Sequence, residues 1–202
     1  MTNKELIASI IEKLNYIRPE NIPDIDLYMD QVTTFMDASL KESKRYDSDK
    51  ILTKTMINNY AKNNLLPPPL KKKYSKEHIL VLIFIYYLKN ILSINDIQTL
   101  LSPLTSKYFT NSDGLTLEDI YKEVFHLEET QILSLEKDVY RKFQKANQMF
   151  SEEEDEDREF LCIFSFISML ALDVYVKKQM IEKMIDELNE KKEKNAHTSK
   201  KK

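Results

Sequence analysis

Thr53-Lys54-Thr55-Met56-Ile57-Asn58-Asn59-Tyr60-Ala61-Lys62-Asn63-Asn64-Leu65-Leu66-Pro67-Pro68-Pro69-Leu70-Lys71-Lys72-Lys73-Tyr74-Ser75 is the stretch on which the reading of this 202-residue chain turns. Thr53 is a suitable N-cap, and the residues after it predict a short helix to about Asn63. Met56, Ile57 and Tyr60 fall on one side of that helix. Lys54, Thr55, Asn58, Asn59 and Lys62 fall on the other, a polar face rich in hydrogen-bonding groups. Pro67-Pro68-Pro69 cannot continue a helix and presets an extended backbone, with Lys71, Lys72 and Lys73 directly behind it. Ser75 then reads as the N-cap of a further helix to about Asn90, through the apolar run Ile79–Ile85.

Outward from this stretch the chain alternates apolar stripes of helical period with short polar breaks. Leu6, Ile7, Ile10, Ile11 and Leu14 predict a packing helix from Thr2 or Asn3 that ends before Pro19 and Pro23. A second helix, roughly Asp24 to Leu40, is expected to bury Ile25, Tyr28, Met29, Val32, Phe35 or Met36, and Leu40. Ser93 followed by Asp96 is an acidic variant of the capping box and opens a helix to Leu101. Ser102 to Asp113 reads as a loop and a boundary. Thr116–Asp119 starts another helix, a long one follows from about Glu128 to Met149, and the last runs from about Arg158 to Asn189. The expected organisation is all-α: a packing helix at 1–23, a domain at 24–102, a linker at 103–115, a helical C-terminal domain at 116–190, and a disordered basic tail at 191–202.

Composition narrows the function. Gly114 is the one glycine, too few for glycine-rich phosphate loops, so the standard nucleotide-binding signatures are absent. One cysteine, Cys162, allows neither an intrachain disulfide nor a two-cysteine zinc site, and it reads as a buried small hydrophobe. A reducing cytoplasmic setting is expected, with no export signal. His78, His126 and His197 lie far apart and read as cap or surface groups. No nucleophile–base pair or metal cluster can be assembled, so an enzyme is not expected and no cofactor is implied.

Charge is unevenly spread. Between Lys41 and His78 ten lysines and arginines face four acids, whereas between Thr116 and Phe160 fourteen acids face six cations. A basic half joined to an acidic one suits a chain whose first half meets polyanions and whose second meets protein. The run Glu152–Asp157 reads as a solvated linker. Phe160–Val176 is about long enough to span a bilayer, but Ser165, Ser168 and Asp173 favour burial against a partner helix instead.

Read together, Thr53–Tyr60, Leu65-Leu66-Pro67-Pro68, Tyr74–Ile79, Leu88 and Ser93–Leu101 resemble the MerR family of transcription regulators. That family shows a short helix ending in an aromatic, a Leu-Leu-Pro exit, a wing, a Tyr-Ser helix start and a Ser-Leu-x-[DE]-Ile-x-x-Leu-Leu helix, in this order. The whole chain also resembles the uncharacterised bacterial YkrK-like family (domain of unknown function 1836). The MerR resemblance implies a winged helix-turn-helix whose helix from Thr53 to Asn63 enters the major groove of double-stranded DNA. Thr53, Lys54, Thr55, Asn58, Asn59 and Lys62 would face base edges and phosphates. Lys71, Lys72 and Lys73 would lie in the wing, with Tyr74 against the sugar–phosphate backbone. It further implies a homodimer through the C-terminal helices, between Arg158 and Leu188. Two functions compete at this point: a sequence-specific regulator, and a helical adaptor that uses the same fold to grip a protein and never touches DNA.

Overall fold

The computed structural model describes residues 3–12, 17–110, 113–151 and 155–199. Thr2, Leu14, the acids at 152–154 and the lysines at 200–202 lie outside the described residues. The chain is mostly helical, with seven α-helices and one minimal two-stranded sheet among the described residues. By packing it divides into two units, Asn15–Phe125 with Glu182–Lys202, and Met1–Leu14 with His126–Ile181.

The larger unit is built around α4 (Lys76–Leu88). Ile79, Leu80, Val81, Leu82, Ile83 and Ile85 are all buried, on every side of the helix. A helix apolar all round has to sit inside a core, and this one is the axis of it. Helix α5 (Ile94–Tyr108) packs against it, and the same core takes in Ile97 and Leu101 of α5, Val32 and Met36 of α2 (Met29–Ser39), and Ile57 and Tyr60 of α3 (Lys54–Lys62). The start of α6 (Leu117–Asn147) adds Leu117, Tyr121 and Phe125. The Tyr121 hydroxyl donates to the Ile17 carbonyl, which fastens the entry of the unit to its far end.

Several sequence expectations hold in detail. Thr53 caps α3, accepting from the Met56 amide at 3.2 Å. Ser93 and Asp96 form the expected box, the Ser93 amide donating to Asp96 Oδ2 at 3.2 Å and the Asp96 amide to Ser93 Oγ at 3.2 Å. Thr116 and Asp119 repeat it at 3.0 and 3.1 Å. At α4 the third helical residue is His78, whose Nδ1 accepts from the Ser75 amide at 3.0 Å. The ring is therefore protonated on Nε2, which lies buried toward the carbonyls of Pro68 and Pro67. Burial pushes the His78 pKa down, against those carbonyls and the charges of Glu77 and Asp26.

Other expectations are corrected. The second helix begins at Met29 rather than Asp24, because Leu27–Tyr28 form strand β1. Its antiparallel partner is β2 (Lys73–Tyr74), with Leu27 opposite Tyr74 and Tyr28 opposite Lys73. Ile25 and Tyr28, expected inside, are 68% and 52% exposed. Helix α5 runs through Pro103 to Tyr108, so the break placed at Ser102 lies later. Pro103 cannot donate to the Thr99 carbonyl, and Lys192 Nζ does so at 3.1 Å from α7 (Asp155–Ser199). The turn that follows centres on Gly114, at φ +88°. The unit therefore extends past the expected linker at 103–115, and the expected disordered tail is helical from Lys191 to Ser199. Where two helices were expected between Thr116 and Met149 there is one, since neither Gly nor Pro interrupts it.

The smaller unit is an arrangement of α1 (Asn3–Glu12) with the adjoining parts of α6 and α7. Lys142 on α6 is bound by Asp138 and by Asp173 of α7, Phe143 meets Phe166 edge-on at 5.4 Å, and Cys162 is buried as expected. An 18-residue window within 157–192 has mean hydropathy 1.9 with only 6% of it buried, so α7 is long and apolar enough to cross a membrane by length and composition. Phe160, Phe164 and Ile167 form an outward apolar row on it.

Candidate nucleic-acid interface

The site is built from three short pieces of the larger unit. Helix α3 is anchored by Ile57 and Tyr60, fully and nearly fully buried, and this fixes which side faces out. Lys54, Thr55, Asn58, Asn59 and Lys62 are all exposed on that outer side. Its C-terminus closes as a Schellman motif: Leu65 N–H reaches the Tyr60 carbonyl at 2.9 Å and Asn64 N–H the Ala61 carbonyl at 3.2 Å. Asn64 takes the left-handed position, φ 54°, and Leu65 buries at once. Gln98 of α5 donates to the Asn63 carbonyl at 3.1 Å, pinning the same end. The long connection from α2 is tied down too, by a 2.5 Å bond between Ser43 Oγ and Tyr86 Oη and by Lys89 Nζ donating to the Ile51 carbonyl at 3.0 Å.

The second piece is the lysine turn. Leu70 and Lys73 form a bridge, Lys73 N–H donating to the Leu70 carbonyl at 2.9 Å, with Lys71 at φ 49° and Lys72 at φ 64° between them. Positive φ at both central positions defines a type I′ turn, normally the province of Asn-Gly. Two lysines hold it here, exposed at the tip. Left-handed backbone costs a side-chain-bearing residue about 1–2 kcal/mol, so the turn stores strain and displays two ammonium groups.

The third piece joins the other two. Tyr28 lies on β1 with Lys73 Nζ over its ring at 5.4 Å, and Asp30, two residues on, pairs with Lys54 at 3.4 Å. Tyr28 and Asp30 thus link Lys73, at the base of the lysine turn, to Lys54 at the start of α3. The sequence reading missed both residues. Tyr28 fits the helical stripe of its neighbours, and its pairing partner stands 45 positions later in the chain. Among the other predicted residues, Thr53 is half-buried with its hydroxyl engaged as the α3 cap, and Tyr74 is buried. Tyr74 is 3% exposed, its ring meets His78 edge-on at 5.4 Å, and burial raises its pKa. It belongs to the core and is corrected out of the contact set.

The arrangement offers amide side chains that can donate and accept in one plane, flanked by cations. Such a surface suits an acceptor-lined, negatively charged partner. Among the described residues no group of three or more His, Cys, Asp or Glu side chains is placed to hold a metal ion.

Fold and site together define a mostly helical protein with a polar, lysine-flanked face on its larger unit. The chain belongs to the family described as a domain of unknown function (DUF1836), which matches residues 17–124. That match nearly coincides with the 15–125 segment of the larger unit. No curated protein and no solved structure matches the chain.

Proposed function

We propose that the protein is a sequence-specific DNA-binding transcription regulator, with α3 as its recognition helix and the lysine turn as a reduced, MerR-like wing. One observation carries the reading. A short helix turns Lys54, Thr55, Asn58, Asn59 and Lys62 outward, and contacts through Asp30 and Tyr28 link its start to Lys73 at the base of the exposed lysine turn. Asn can pair with adenine through two edge atoms in the major groove, while lysines neutralise phosphates and release counterions. The adaptor reading stands second, since an acidic protein surface would also meet these cations.

The regulator acts as a homodimer in the cytoplasm, the apolar row Phe160, Phe164 and Ile167 meeting a second copy. A dimer reads a near-palindromic site whose half-sites lie about one helical turn apart. The test is selection of duplexes from a random pool by the full chain, followed by fluorescence anisotropy against salt. Affinity is expected to fall with a log–log slope of about −0.9 for each phosphate neutralised. No enriched sequence and no binding at about 50 mM salt, where phosphate-contacting proteins still hold DNA, would overturn the proposal.

A further inference from the structure

We infer that the smaller unit carries a binding groove for an organic anion with an apolar body, such as a fatty acid or an alkyl phosphate. The groove lies along α6, is lined as well by Lys177 of α7, and has a volume of about 610 Å³. That is within the range of roughly 300–1,000 Å³ in which small-molecule sites fall. Lys137, Arg141 and Lys177 line it, and Asp138 is the carboxylate among its described lining residues.

That carboxylate is already engaged. It accepts from Arg141 at 2.6 Å and from Lys142 as well, and Lys142 is held from its other side by Asp173. Lys137 and Lys177 make no ion pair among the described residues. The described lining of this concave surface thus holds three cations and one carboxylate, which is already shared between Arg141 and Lys142. Placing like charges together costs free energy, and the cost is relieved when an anion enters. Ile132 and Leu135 line the same groove, Leu135 at 41% exposure, so an apolar body beside the charged head would gain contact. Gln131 and Ser134 offer further hydrogen-bonding groups at the wall. A bare inorganic anion would satisfy the cations and leave the apolar wall in water. A neutral or cationic amphiphile would do the reverse.

The inference is independent of DNA binding. Isothermal titration of the full chain compares decanoate and decyl phosphate with decyltrimethylammonium, decanol and inorganic phosphate, all below micelle-forming concentration. Saturable binding of the two anions at one site per chain is expected, weakening as salt rises. The paired change Lys137→Gln and Lys177→Gln should lower their affinity at least about tenfold, while the circular dichroism spectrum stays unchanged. Arg141→Gln should lower it too, since Asp138 keeps Lys142. Equal binding of decanoate and decyltrimethylammonium would overturn the inference, as would affinity indifferent to the lysine pair. Inorganic phosphate binding as tightly as decyl phosphate would refute the apolar half of the ligand class. Capture of the chain by anionic vesicles, with no binding of the monomeric anions, would assign the cations to a lipid surface and equally end it.

Discussion

Replacing Lys71-Lys72 by Asn-Gly separates the two roles of the lysine turn. Both residues sit in the left-handed region, at φ 49° and 64°, where a β-carbon costs about 1–2 kcal/mol. Asn tolerates that region and Gly is indifferent to it, and Asn-Gly is the preferred pair of a type I′ turn. Gly also loses more conformational freedom on folding, which returns up to about 1 kcal/mol. The net expectation is a gain of about 1–2 kcal/mol. For a chain of 150–250 residues each kcal/mol moves Tm by about 2–4 °C, so the double change should raise Tm by about 2–8 °C. The same change removes two exposed cations. If both neutralise phosphates, the salt slope of DNA binding should flatten by about 1.8. Differential scanning calorimetry and anisotropy titrations on one preparation measure both effects. A variant that is more stable and weaker on every duplex is the expected outcome. A lower Tm would refute the strain argument, and an unchanged salt slope would remove the turn from the interface.

Further expectations rest on single contacts. Asn58→Ala or Asn59→Ala should relax preference at one base position by about 1–3 kcal/mol and leave the salt slope alone, as competition with mismatched duplexes would show. His78 takes up a proton less readily folded than unfolded, so below about pH 6.5 the unfolded chain binds a proton that the native ring refuses. Stability should therefore fall as pH drops through that window, by up to about 1.4 kcal/mol per pH unit, and His78→Gln should flatten the dependence between pH 7 and 5. Pro103→Ala restores a donor for the Thr99 carbonyl and should stabilise the chain by about 1–3 kcal/mol. Lys192→Ala should then cost less in that background than in the parent, a coupling that denaturant titrations of the four proteins resolve. Tyr121→Phe strands the buried Ile17 carbonyl and should cost about 1–3 kcal/mol in urea unfolding.

How far the site could be read in advance depended on the range of the interactions that form it. Thr53 capping α3, the Ser93–Asp96 box and the burial of Ile57 and Tyr60 follow from residues within one or two turns of each other, and local spacing displays them. Lys54, Asn58, Asn59 and Lys62 face outward for the same reason: once the buried stripe of a helix is known, its opposite side is known. Tyr28, Ile25 and Tyr74 went astray because each is decided by the pairing of 27–28 with 73–74, a contact with no local signature. Pro103 misled in a similar way. A proline ends a helix unless something distant takes the orphaned carbonyl, and Lys192 stands 89 positions away.

The sequence by itself determined that the chain is mostly helical, where most helices start, which face of each is apolar, and that its cations and acids are segregated. Those properties are set by period and by caps, which act over a few residues. Only the tertiary structure decided that Lys73 and the start of α3 are linked through Tyr28 and Asp30, and that the larger unit takes in the start of α6 as far as Phe125 together with the end of α7. Each of these rests on a hydrogen bond or packing contact between residues far apart in the chain, and the free energy of such a contact is fixed by geometry that no short window of sequence contains.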